Sequence, residues 1–211
     1  MKNQTMKKQT MTILLRASAF ALAAMFASGM PASPLQAAET PAPTNLPGDS
    51  VYQLDVSLLD QDGRAMHFAD GRGKPRLVTM FYSSCQFMCP LIIDTLRQTE
   101  HALPPAARQQ LDVLMVSFDA EKDTPAVLKG VAEKRHLDTP RWMLARASSS
   151  DVRRIAAVLG IQYRKMRDGE FSHSSVLVLL DADGRIVART EKMGVQDPQF
   201  VASTAALLTP Y

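Results

Sequence analysis

The chain has 211 residues, enough for one domain with a core of its own. It is 46% hydrophobic and 21% charged, with 24 Lys and Arg against 21 Asp and Glu, a formal +3. The excess lies in the first 37 residues, which hold four basic groups and no acidic one; the remainder, 20 basic against 21 acidic, stands at −1 and excludes the basic surface of a nucleic-acid binder.

Lys2, Lys7, Lys8 and Arg16 precede the apolar run 17–30, and small residues and prolines follow it. That order is a secretory leader over 1–37. The run of 14 residues is short of the roughly 20 that span a bilayer. Cleavage is expected near Ala37 or Ala38. Because Leu35 stands where a small residue is favoured, an uncleaved N-terminal anchor is the alternative, and it is the only membrane contact expected. Residues 38–50, rich in Pro, Thr and Ala, read as a flexible linker. The globular part is expected over 51–211.

Residues 51–68 alternate apolar and polar around Asp62-Gly63, a hairpin signal. The continuous apolar run 76–83 predicts a buried strand, and 90–101 a helix ended by Pro104-Pro105. A second buried strand is expected at 111–118. Thr124-Pro125 caps a helix over 125–136. A short strand at 142–147 leads to a helix at 148–160. Strands 175–181 and 185–190 flank Asp183-Gly184, and a last helix runs from Pro198 to about Leu208. Strands alternating with helices predict an α/β fold with a central sheet, the strands 76–83 and 111–118 adjacent through a right-handed crossover.

The chain's two cysteines lie in "FYSSCQFMCP", residues 81–90, where the first buried strand meets the helix after it. Helix N-termini favour thiolates, and a spacing of four puts both sulfurs on one side of a turn. A structural disulfide here would close a loop of about five residues, worth roughly 2 kcal/mol against nearly 5 for a loop of a hundred. A redox couple or a metal-binding pair is therefore the better account of Cys85 and Cys89. A metal needs a further ligand. His67, His101 and His136 read as surface or capping residues. His173 sits in the turn before the apolar strand 175–181, which such a sheet can bring beside the first helix; a turn histidine bonded to backbone is the plainer alternative. Two thiolates and an imidazole suit copper, as Cu(I) or Cu(II), or zinc, although structural zinc wants a fourth ligand. Met88 could offer a thioether, but core packing is its better account.

Three stretches together resemble the Sco (SenC/PrrC) family: "FYSSCQFMCP", "VSFDAEKDTPAVLKGVAEKR" (116–135) and "FSHSSVLVLLDADGRIVAR" (171–189). The likeness runs from near 51 to near 205. It implies a thioredoxin-like fold, a central mixed sheet flanked by helices, here with an added N-terminal β-hairpin. It implies that Cys85, Cys89 and His173 bind copper, and that the chain acts on the periplasmic side, exported or anchored to the inner membrane. It also implies a metallochaperone for a copper-receiving client such as the cytochrome c oxidase subunit with a dinuclear copper site. Gln86-Phe87, where the family commonly has Pro and Asp, and Asp119-Ala120, where it commonly has Asp-Pro, leave the client open. A thiol–disulfide oxidoreductase working on thiol–disulfide partners through Cys85 and Cys89, or a copper or redox sensor, are the competing readings. Ser83 and Ser84, with no proline ahead of Cys85, disfavour a peroxidase.

Overall fold

The computed structural model describes residues 46–208; the expected leader and residues 38–45 of the expected linker lie outside the described residues. Leu46 packs against the core, and Ser50 accepts from the Tyr52 N–H at 3.1 Å, capping a 3-10 turn at Val51–Gln53. The hairpin is thus shorter than 51–68. Its strands are β1 (Ser57–Asp60) and β2 (Ala65–His67), and Phe68–Gly71 forms a second 3-10 turn. Tyr52 lies edge-on to Phe68, with ring centroids 5.8 Å apart, so these flanks bury aromatic surface instead of extending the ladder. The reversal is fixed by Asp60, whose carboxylate accepts from the N–H groups of Asp62 and Arg64, and by Gly63 at φ 78°.

There follow β3 (Arg76–Phe81), α1 (Met88–His101), the single turn α2 (Pro105–Arg108) and β4 (Asp112–Ser117). Next come α3 (Pro125–Lys134), β5 (Trp142–Ala147) and α4 (Ser149–Val158). Two short strands, β6 (Tyr163–Lys165) and β7 (Phe171–His173), pair with each other and precede β8 (Leu177–Leu180), β9 (Ile186–Thr190) and α5 (Pro198–Leu208).

The main sheet has the order β2-β1-β5-β4-β3-β8-β9, with β3, β4 and β5 parallel and the other pairings antiparallel. The mixed sheet, the adjacency of β3 and β4 and the hairpin added at one edge are as expected. Every side chain of β3 is buried, which is why its sequence is a continuous run. Period-two alternation splits the strand between two cores. Leu77 and Phe81 meet Ile92 and Leu96 of α1 and Leu128 of α3; Val78 and Met80 meet Val152 and Ile155 of α4. A buried polar tie fixes α1 to β5: Glu100 accepts from Arg141 at 2.6 Å and from the Trp142 indole N–H at 3.0 Å. Among the described residues no helix is long and apolar enough to cross a membrane.

Candidate metal and thiol site

Cys85 lies in the loop between β3 and α1 and Cys89 in the first turn of α1, and both are free thiols. The start of the loop is held by Asp123, just before α3, which is 1% exposed. The Asp123 carboxylate accepts from the Ser83 N–H at 3.0 Å and from the hydroxyls of Ser83 and Ser117. The Asp-Thr-Pro stretch thus does more than start a helix: its carboxylate pins the cysteine loop to the ends of β3 and β4.

The two thiols differ sharply. Cys85 is half-buried at the N-terminus of α1. Burial works against its thiolate, but the Cys89 N–H and thiol, with the N–H groups of Phe87 and Met88, outweigh it and hold its pKa below the ordinary thiol value. Cys89 is 6% exposed, and its thiol donates to the Tyr82 carbonyl oxygen at 3.2 Å. Burial first, and the neighbouring Cys85 charge with it, pushes its pKa well up. One sulfur loses its proton more readily than an ordinary thiol; the other, buried, holds its proton more tightly.

His173 ends β7, opposite Tyr163. Its Nδ1 lies 3.1 Å from the Ser174 carbonyl oxygen. That oxygen only accepts, so the Nδ1–H tautomer makes the bond and leaves the Nε2 lone pair free. The ring is set by Phe118, 4.9 Å away, and by Tyr82, edge-on at 5.8 Å. The Tyr82 hydroxyl donates to Glu170 at 2.9 Å; burial, this bond and the adjacent Cys85 keep the phenol protonated. His67, His101 and His136 are exposed, as expected of surface residues.

Cys85 and His173 line one open cleft of about 470 Å³, together with Met88 and Glu170. Met88 therefore departs from the core packing expected of it: it is only partly buried and belongs to neither core. Cys85 also lines a second cavity, a groove of about 280 Å³ between α1 and α3, and there it is joined by Cys89. Cys85 is the sulfur common to both. Among the described residues no three Cys, His, Asp or Glu side chains are already gathered closely enough to hold an ion. A ligand set built on Cys85, Cys89 and His173 has to close around its metal.

The aromatic setting of His173 and the Asp123 clamp were not expected from the sequence. Their partners lie far away in the chain, with Asp123 and Ser83 40 positions apart. The one local signal was Asp168-Gly169, which turns β6 into β7.

The family model for SCO1/SenC matches residues 46–209. An SCO2-like protein of Rickettsia felis is 22% identical over 139 residues, 62% of this chain and 65% of its own length; the match thus spans less than two thirds of that relative. The solved structure of Bradyrhizobium japonicum ScoI with copper bound is similar at TM-score 0.59 and 24% identity, over 74% of this chain and 96% of that one. A structure of BsSco, a member of the Sco family of cytochrome c oxidase assembly proteins with a disulfide switch, has TM-score 0.61 and 19% identity, over 74% and 92%. At these identities the two structures bear on the fold, which is thioredoxin-like. The match of the family model to nearly the whole described domain places the chain in the SCO1/SenC family.

Proposed function

We propose that this protein is an exported, periplasmic metallochaperone that carries copper as cargo between Cys85, Cys89 and His173. The observation that carries the reading is the shared cleft, in which a thiolate-prone Cys85 at a helix N-terminus faces an imidazole whose Nε2 is free. Two sulfurs and one nitrogen form a soft donor set that accepts Cu(I) and tolerates Cu(II). In this reading Cys85 receives the ion. Cys89 then gives up its proton and its bond to the Tyr82 carbonyl, and His173 closes the set. Release to a client reverses these steps, and the cost of exposing the buried Cys89 sulfur keeps them reversible. Copper-bound B. japonicum ScoI and the family of BsSco support copper as the cargo and cytochrome c oxidase assembly as the setting, with its dinuclear copper subunit as the client. The test is a Cu(I) titration of the reduced protein. We expect one copper per chain, lost in Cys85→Ser and in Cys89→Ser; stoichiometric binding by either variant contradicts the assignment.

A second reading, a thiol–disulfide oxidoreductase, is favoured by the asymmetry of the two thiols. A half-buried sulfur of lowered pKa beside a more deeply buried one of raised pKa is the arrangement of an attacking and a resolving cysteine. The two readings share one pair, because copper needs both sulfurs reduced.

A further inference from the structure

The groove between α1 and α3 is separate from the cleft that His173 lines, and both sulfurs open onto it. We infer that it is the docking site of a small anionic disulfide or thiol, a cysteine-containing peptide bearing carboxylates, which exchanges with the Cys85–Cys89 pair. The inference rests on the reading of that pair as redox-active.

Three observations support it. The groove is small, about 280 Å³, just below the roughly 300–1,000 Å³ of small-molecule sites, so it suits a short peptide and not a folded element. Its end away from the sulfurs is formed by Lys134 and Arg135, and among the described residues neither side chain has a carboxylate partner. The carboxylate under the cysteine loop, Asp123, is buried and already engaged by Ser83 and Ser117. The wall between the sulfurs and these cations includes Gly130, a glycine inside α3, where a Cβ would meet no atom within 4 Å. Glycine weakens a helix interior, and nothing packs against it here; it leaves space at the groove. The site thus has sulfur at one end, open apolar space beside Val127, and positive charge at the other end.

The exchange balances as follows. The Cys85 thiolate attacks one sulfur of R–S–S–R, the ligand's S–S bond breaks, and the first R–S⁻ leaves with the electron pair. The Cys89 thiol then gives up its proton to that thiolate and attacks the Cys85 sulfur, expelling the second R–S⁻, which takes up the proton lost by Cys85. The two cysteines are oxidised to one disulfide and the ligand is reduced to two thiols. The reverse reaction reduces the pair and restores its capacity for copper.

The experiment follows thiol loss in the reduced, metal-free protein with three disulfides: glutathione disulfide (anionic), cystamine (cationic) and hydroxyethyl disulfide (neutral). In the parent, the rate ratio of glutathione disulfide to cystamine should exceed that of the Lys134→Glu/Arg135→Glu variant by about tenfold at low salt, and salt should erase the difference. Gly130→Leu, whose Cβ meets no atom within 4 Å and whose side chain narrows the groove, should slow all three disulfides while alkylation of Cys85 by the smaller iodoacetamide, open through the His173 cleft, is unchanged. An unaltered charge ratio in the reversed variant, or parental rates in Gly130→Leu, overturns the groove assignment alone. If no disulfide oxidises the pair, the thiol–disulfide reading falls with it, and copper titration still decides the metallochaperone reading separately.

Discussion

Replacing Asp123 by Ala removes the acceptor for three donors, the Ser83 N–H and the hydroxyls of Ser83 and Ser117, at a position 1% exposed. A hydrogen bond to a charged group contributes about 1.5–3 kcal/mol. The three are not additive, and the variant no longer buries a charge. The net loss should be about 3–5 kcal/mol, a large share of the roughly 5–15 kcal/mol that holds a domain together. With a urea slope near 2 kcal/mol/M the midpoint should fall by about 2 M. Trp142, the chain's one tryptophan and 2% exposed, reports unfolding by fluorescence. Asp123→Asn keeps an acceptor for the Ser83 N–H and should lose only about 1–2 kcal/mol. The Asp123 charge also helps, behind burial and Cys85, to keep the Cys89 thiol protonated, so Asp123→Ala should speed alkylation of Cys89 at fixed pH. A midpoint shift below about 0.5 M with no change at Cys89 would refute the clamp.

Glu100→Ala leaves Arg141 and the Trp142 indole without their buried partner and should lose about 3–5 kcal/mol, Glu100→Gln less because it still accepts from Trp142; urea unfolding of the two checks it, and equal losses would contradict it. With iodoacetamide, Cys85 should react first and gain rate at a lower pH than an ordinary thiol does. Cys89, pushed up by burial, should stay inert until well above the ordinary thiol value of about 8.5. Mass spectrometry of the two sites across pH decides, and matching profiles would contradict the asymmetry.

The strands β3 and β4 were legible because both faces of each are almost wholly buried, so apolar residues run on with few polar interruptions. The helix caps at Thr124 and Ser148 were legible because capping is local. The hairpin that delivers His173 was not. β6 and β7 have three residues each, too few for a period, and the segment between Tyr163 and Phe171 is mostly charged. At the N-terminal edge, the alternation of 51–68 overstated the strands, because Tyr52 and Phe68 are buried by packing on each other and on the core. At the site, cysteine spacing pointed to Cys85 and Cys89, but their unequal burial follows from the Tyr82 carbonyl and the packing of α1, which no local pattern encodes. Met88 looked like core by composition and stands at the cleft by position.

His173→Ala is the most direct test of a shared copper and thiol site. The imidazole faces the cleft that Cys85 lines, but the two sulfurs meet without it in the other groove. The variant should therefore bind copper at least tenfold more weakly, a loss of about 1.4 kcal/mol or more, with Cu(II) affected most because imidazole suits it. The Cys85–Cys89 disulfide should still form at the parental rate. The measurement is copper affinity and absorption alongside a count of free thiols after mild oxidation. Parental copper affinity in this variant would make His173 a turn residue held by the Ser174 carbonyl, and would leave thiol–disulfide exchange as the function of the pair.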